Sequence, residues 1–517
     1  MPYEYKPFPY IKPPGLTETE PRHKVIIVGA GPIGLAAALE LANYGVASVV
    51  LDDNNVVSVG SRAICWSKRA LEVLDRIGLG EKAVEMGVTW KVGRTFHRDR
   101  EVFSFDLLPE KGHKMPAFVN LQQYHIEEML AAKALEHPLV DLRFRNRVKA
   151  LEQADDAVFI TVETPDGDYT LTAEYLIACD GAKSDTRAML GLDFEGELFE
   201  ERFLIADIEM EADFPAERRF WFEPTFHPGQ SALLHKQPDN IYRIDLQLGW
   251  EADPEEERKP EKVIPRIERV VGHKDFRLDW VSIYTFQCRR LERFLHGRVI
   301  FAGDSAHVVS PFGARGGNSG LQDVDALGWR LAAVLEGRGG DNLLAAYDRE
   351  RTFAADENIL NSSRTTRFMT PAAGMERRFR DAVLSLAGKT EFARGMVNGG
   401  RLSVPCVYPS SGADDERLPK VSRPGAVAPD APLDDGWLLN ALGREPVLLA
   451  LGLHAPEGVA AKVVAPEMTD TLRSRYLGRA ERALYLIRPD QVVAARWVDP
   501  EAGEVSDAIA AMWEGKP

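Results

Sequence analysis

Cysteine is scarce. The 517-residue chain holds four, Cys65, Cys179, Cys288 and Cys406, with no CxxC pair and no ligand-like spacing to a histidine. That pattern argues against a disulfide framework and against a structural zinc, so no metal site is expected. Positive charge is in deficit: 63 Lys and Arg face 79 Asp and Glu, a net of −16 with no basic stripe. A reader of nucleic-acid phosphates shows the opposite balance. Long apolar runs are missing as well. The longest, Val25 to Leu41, is broken by glycines and by Glu40, so no membrane span is expected. The opening MPYEYKPFPYIKPPG has no basic region ahead of an apolar stretch, which excludes a secretory signal. These absences point to a cytoplasmic protein, kept in solution by its acidic surplus.

What is present is the composition of a globular protein, 45% hydrophobic and 27% charged. Its length implies two or three domains. Residues 1–23 form an aromatic-rich arm that either lies against the body or hangs loose. From Lys24 the pattern is strand, tight turn, helix, strand. Helices are expected at Ser67–Ile77 and His125–His137, and strands at Val140–Phe144, Val158–Thr164 and Tyr175–Cys179. Between Phe199 and Gln287, alternating segments such as RRFWFEP and NIYRIDLQL predict an antiparallel sheet with one covered face. Helical periodicity returns at Asp323–Glu336 and Leu343–Ser363. Six prolines between Arg401 and Leu433 mark a linker or a wrapped connection. A small α/β unit ends the chain, its closing helix at Ser506–Glu514. There are no internal repeats.

Two glycine clusters carry the chemistry. Gly29-Ala-Gly31-Pro32-Ile33-Gly34 follows a buried apolar strand and opens a helix. A dinucleotide needs this context: a tight turn, close backbone approach to a pyrophosphate, and a helix N-terminus facing the phosphates. An acid roughly twenty residues on completes the fingerprint. Asp52 stands there, with Asp53 as the register alternative. This unit alone does not separate FAD from NAD. The second cluster, GDSAHVVSPFGARGGNSG from Gly303 to Gly320, follows the strand VIFAG. An acid there, Asp304, can hold a ribose or ribityl hydroxyl, and the freed amides of its loop can meet a polarised carbonyl. An NAD-only unit needs no such late device, whereas a flavin extends well past the first fingerprint. A third piece, Asp180-Gly181-Ala-Lys-Ser184-Asp-Thr-Arg187, follows the strand YLIAC.

In this order and spacing the three motifs resemble the GxGxxG, DG and GD fingerprints of the single-component (class A) FAD-dependent aromatic hydroxylases. The likeness covers nearly the whole chain. RPGAVAPDAPLDDG and LYLIRPDQVVAARW are similar to the tail of the phenol hydroxylase and 3-(3-hydroxyphenyl)propionate hydroxylase branch. The resemblance implies an α/β fold. A Rossmann-like FAD-binding domain (about 24–80, 115–195 and 290–385) interleaves with an antiparallel-sheet substrate domain of the para-hydroxybenzoate hydroxylase type (about 81–114 and 196–289). Together they make a monooxygenase region at 24–400. A linker at 401–425 then leads to a thioredoxin-like domain at 426–517 that lacks redox cysteines.

The resemblance also implies roles. Arg62 meets the FAD ribose and phosphates, Gln123 sits beside the ribityl and phosphate region, and Val148 contacts adenine through its backbone. Asp180 and Arg187 belong to the motif shared by FAD and NAD(P)H. Asp304 bonds the ribityl or ribose, Gly316, Gly317 and Asn318 lie against the flavin pyrimidine edge, and Pro311 lies over its substrate side. Ala326 replaces an asparagine common in the family, which removes one helix contact. The implied activity is NAD(P)H-dependent hydroxylation of a phenolic ring through a flavin C4a-hydroperoxide. FAD is the cofactor, NADH or NADPH and dioxygen are co-substrates, a small aromatic is the substrate, and the assembly is a homodimer. The alternatives are a tailoring hydroxylase of a polycyclic polyketide and a flavin-fold binding protein without hydroxylase activity.

In the substrate region Arg243 aligns by resemblance with an arginine beside the flavin. Its other reading is a strand arginine in a surface ion pair. His235 either helps deprotonate a phenol, as an imidazole poised near pH 7, or is a hydrogen-bonded sheet histidine. His307 is expected to support its loop. Gln237 stands near where the para-hydroxybenzoate branch has an arginine that clamps a carboxylate, so that substrate is not carried over. Trp221, Phe222 and Phe312 either line the pocket or are core.

Overall fold

A computed structural model describes residues 3–60, 62–249, 251–371, 374–397 and 402–516. The expected boundaries at 1, 400, 401 and 517 lie outside the described residues. Two eight-stranded sheets dominate. The first has a parallel core in the order Val299–Phe301, Gly167–Ala178, His23–Val28, Ser48–Asp52 and Val140–Phe144. The run VIIV, Val25–Val28, is buried because helices cover both faces of such a sheet. Ile26 stands opposite Val49 on one side and Leu176 on the other. The helix Pro32–Asn43 begins with proline at its first position, where no amide hydrogen is needed, and is buried almost all round. Against it packs the long helix Gly316–Leu335, with Gly328 letting Glu40 and Tyr44 approach.

The second sheet runs His307–Val308, Arg277–Arg290, Glu195–Glu209, Ile241–Gln247, Ser231–Lys236, Glu217–Phe222, Val92–His97 and Arg100–Asp106. It departs from the expected antiparallel pattern once, because Glu217–Phe222 and Val92–His97 pair in parallel. A further departure is the helix Pro260–Val271, which buries Val263 and Ile267 against the sheet.

Several helices are longer than their apolar pattern suggests. The helix expected at Asp323–Glu336 starts at Gly316, since the glycine-rich segment is its first turn. The helix expected at Leu343–Ser363 spans Asn342–Met369, and the closing helix spans Ala502–Trp513. The strand expected at Tyr175–Cys179 is the end of Gly167–Ala178.

The arm lies against the body. Tyr3 stacks on Tyr124 at 4.2 Å, Phe8 on Phe144 at 4.5 Å, and the Gly60 amide donates to the Tyr5 hydroxyl at 2.9 Å. The proline-rich stretch is a wrapped connection, with the Tyr408 hydroxyl accepting from Arg351. Past it, a four-stranded sheet orders Lys462–Val464, Val447–Leu451, Ala483–Ile487 and Val493–Trp497, the first pair parallel and the others antiparallel.

Buried charges join this tail to the helices Lys68–Arg76, Gly316–Leu335 and Asn342–Met369. Asp490 pairs with Arg488 at 2.6 Å and lies 3.6 Å from Arg330, while Arg69 donates to the Gln491 side chain and to the Asp490 carbonyl. Glu350 takes both Arg330 and Arg488. Among the described residues no helix is long and apolar enough to cross a membrane.

Candidate functional site

The two glycine clusters meet in one cavity of about 860 Å³. It runs from the turn after the first strand, past the end of Ser48–Asp52 and the loop before Gly316, to the covered face of the second sheet. Gly29, Gly31, Pro32, Ile33, Asp52, Asp53, Arg62, Gln123, Val148, Asp180, Asp304, Gly316, Gly317 and Asn318 all line it. So do Arg243, His235 and Pro311. Gly34 and Arg187 do not, and each has a structural reason.

A Cβ on Gly34 would stand 1.9 Å from the Gly29 carbonyl oxygen, so this glycine allows the helix to close on the turn. Arg187 donates to the carbonyls of Ser305 and Ala182 and lies 3.8 Å over the Phe194 ring. It ties the Asp180 loop to the Asp304 loop from outside the cavity.

Asp52, the last residue of its strand, accepts from the Ala30 amide at 2.5 Å and from the Asn54 amide at 2.8 Å. Burial pushes its carboxyl up to about 6. Asp53, one residue on, is exposed at the cavity rim. Gln123 spends its amide on the Arg62 loop, accepting from the Ala63 amide at 3.0 Å and donating to Glu127 at 2.7 Å. Asn318 is likewise spent. Its side chain accepts from the Ser67 amide and donates to the Cys65 carbonyl, fastening the helix to the strand Cys65–Ser67. His307 holds the second loop from beneath, its Nε2 2.7 Å from Asp323, which also accepts from the Gly303 amide and from Arg351.

At the sheet end Arg243 is buried, which removes the surface ion-pair reading. Its Nε donates to Asp207 at 3.1 Å and its Nη1 to the Arg62 carbonyl at 3.0 Å. His235 is not poised near pH 7: burial first, then the nearby Arg218 and Arg243, hold its pKa well below the ordinary value. Gln237 turns to Asp207 instead of the cavity. Phe312 lines the space, whereas Trp221 stacks on Phe96 at 5.2 Å and Phe222 joins an aromatic core.

The sequence reading passed over Glu127, Arg218 and Asp245, all of which line the cavity. Glu127 was within reach, since it follows Gln123 by one helical turn. It accepts from the Ser58 amide and hydroxyl, and burial raises its pKa.

The cavity fits FAD. A Cβ on Gly31 would meet nothing within 4 Å, so the backbone there borders open space suited to a pyrophosphate. The buried Oδ1 of Asp180 has no partner, and the Asp304 carboxylate, exposed to the cavity, accepts no hydrogen bond among the described residues. Burial raises the pKa of Asp304. Two helix N-termini, at Gly31 and Gly316, add partial positive charge.

Residues 22–362 match the family model described as FAD binding domain. The chain belongs to this family. It is 30% identical over 538 residues, 96% of this chain and 99% of the relative, to the 12-dehydrotetracycline 5-monooxygenase/anhydrotetracycline 6-monooxygenase of Streptomyces rimosus subsp. rimosus. It is 27% identical over 362 residues to the 3-(3-hydroxy-phenyl)propionate/3-hydroxycinnamic acid hydroxylase of Mycolicibacterium smegmatis, covering 70% of this chain and 64% of that protein. The solved OxyS anhydrotetracycline hydroxylase from Streptomyces rimosus superposes with a TM-score of 0.75 at 28% identity, over 96% of this chain and all of that one. The protein is a flavin-dependent monooxygenase.

Proposed function

We propose that this monooxygenase hydroxylates a phenolic ring, consuming one NAD(P)H and one dioxygen. One oxygen atom enters a ring C–H bond and the other leaves as water, with two electrons from the nicotinamide. The observation that carries the reading is the continuity of the cavity from the dinucleotide turn to the covered sheet face. Bound FAD supplies the redox chemistry, accepting reducing equivalents and activating dioxygen.

The residues supply the rest. The Gly29–Ile33 turn and its helix hold the pyrophosphate, Asp52 a ribose hydroxyl, Asp304 the ribityl side, and Gly316 and Gly317 the pyrimidine edge. Phe203, Leu233, Phe286 and Phe312 give the ring a dry apolar bed, and Pro311 lies on the same side. Arg243 ties the sheet to the Arg62 loop and so couples ring position to flavin position. The strand order and senses of the tail support a thioredoxin-like unit without thiols. The same reading expects a cytoplasmic homodimer.

A second reading, a tailoring hydroxylase of a polycyclic substrate, is favoured by the 30% identity spread over 96% of the chain. Both readings are tested together. Purified protein should be yellow, oxidise NADH or NADPH faster when a phenol or polycyclic phenol is added, and release a product one oxygen heavier, labelled from dioxygen. Label arriving from water, or no aromatic compound accelerating turnover, would overturn the proposal.

A further inference from the structure

We propose that the ring hydroxylated here bears a carboxylate, and that Arg218 is its receptor; the inference rests on the aromatic-hydroxylase reading above. The strand Glu217–Phe222 alternates its side chains between two faces. On one, Arg219 donates to Glu217 at 2.7 Å and lies 4.3 Å from the Phe214 ring, and Trp221 stacks on Phe96. On the other, Phe220 and Phe222 are buried in an apolar cluster with Leu233 and Phe312, and Arg218 lines the cavity.

Arg218 forms no hydrogen bond and no ion pair among the described residues, unlike every other arginine of the buried sheet face and the tail joint described above. A guanidinium stays charged at any working pH, and Arg218, half-buried at the cavity wall, holds its N–H donors without a protein acceptor.

No neighbouring group pairs with it directly. Arg243 is already spent on Asp207 and the Arg62 carbonyl. His235 is neutral, held so partly by Arg218 itself. Asp245 stands beyond ion-pair distance from Arg218, and its buried Oδ1 has no partner either. Asp245 thus adds a charge nearby but no direct acceptor for the Arg218 N–H groups. The guanidinium fork of Arg218 is therefore left without an acceptor at hydrogen-bonding distance in the cavity. A carboxylate supplies one with the matching shape, two oxygens against a planar fork of N–H donors. The apolar rings beside Arg218 would then hold the aromatic body to which that carboxylate is attached.

The test compares 3-(3-hydroxyphenyl)propionate and other hydroxylated aromatic acids with their methyl esters, which keep the phenol and lose the charge. Binding to the FAD-loaded enzyme is followed by perturbation of the flavin spectrum, and turnover by KM and kcat of NAD(P)H oxidation. At least one acid should bind roughly 10- to 100-fold tighter than its ester, the range of a charge-assisted pair. Arg218→Ala and Arg218→Gln should erase that preference by weakening the acid alone, while Arg218→Lys keeps part of it and FAD content is unchanged in all three. Equal binding of acid and ester would overturn the carboxylate, and so would an Arg218→Gln variant that weakens both alike. Stimulation by neutral polycyclic phenols but by no acid would refute Arg218 as receptor and leave the hydroxylase reading intact. Failure of every aromatic compound to stimulate turnover would take down both.

Discussion

Arg243 donates from Nη1 to the carbonyl oxygen of Arg62, 3.0 Å away, and so links a strand of the second sheet to a loop that borders the cavity. The same side chain neutralises buried Asp207. Replacing Arg243 with Ala cuts the link and leaves Asp207 with less compensation, at a cost of about 3 kcal/mol or more in stability. Flavin reduction should slow and a larger share of NAD(P)H oxidation should end in hydrogen peroxide. Stopped-flow reduction and a peroxide assay read both, and Arg243→Lys should recover part of each. Unchanged coupling between NAD(P)H oxidation and product would refute the role.

Gly31 and Asp304 both line the cavity and are both proposed to bear on the cofactor. Gly31→Val fills the open space beside the turn, and Asp304→Ala removes a carboxylate that faces the cavity. Both proteins should fold, with unchanged far-ultraviolet circular dichroism, yet purify with much less FAD by absorbance. Full occupancy in either variant removes that residue from the cofactor site.

Asp245 predicts a pH dependence with a definite sign. Burial raises its carboxyl from the ordinary 3.8 to about 6, so the folded state favours the protonated form. That advantage is complete below about pH 4 and lost above about pH 6, where ionised Asp245 weighs on the fold by about 3 kcal/mol. Asp245→Asn should match the wild type at pH 4 and exceed it at pH 8. Denaturant titrations of the ligand-free protein at both pH values check this, and a difference that does not vary with pH contradicts it.

The tail is more than an appendage. The tail holds no thiol and no motif residue, so cutting near Arg423 is expected to alter subunit association or stability and to leave the flavin-reduction chemistry in place. The structure supports a loss of stability, since the cut would strip Arg69, Arg330 and Glu350 of Asp490, Gln491 and Arg488. Breaking a buried pair costs about 3–5 kcal/mol. Truncated protein should melt well below the full chain or fail to stay soluble, and Asp490→Ala should reproduce part of the loss. A truncated chain with an unaltered melting temperature would show that this joint is idle.

Legibility in the sequence followed how local each constraint is. The cradle could be read because its glycines answer to atoms a few residues away: Gly34 must clear the Gly29 carbonyl, and the strand must end at Asp52. The long helix from Gly316 was read short, since a GGNSG turn looks like loop until a cavity faces its amides. The parallel pairing of Glu217–Phe222 with Val92–His97 joins segments over a hundred residues apart and leaves no local trace. Arg218 was hidden for a related reason. Inside RRFWFEP it reads as one of two surface charges, and only the assembled sheet separates it from Arg219.

The order in which the chain is made gives the tail joint one more meaning. Arg69 and Arg330 are synthesised before Asp490, and Glu350 before Arg488, so a growing polypeptide carries these charges without their last partners. A frameshift or nick that spares every flavin motif but removes the segment around Asp490 should therefore still yield a protein recognised as unfinished. Quality control by proteolysis would read that final stretch as proof that the whole cradle has closed.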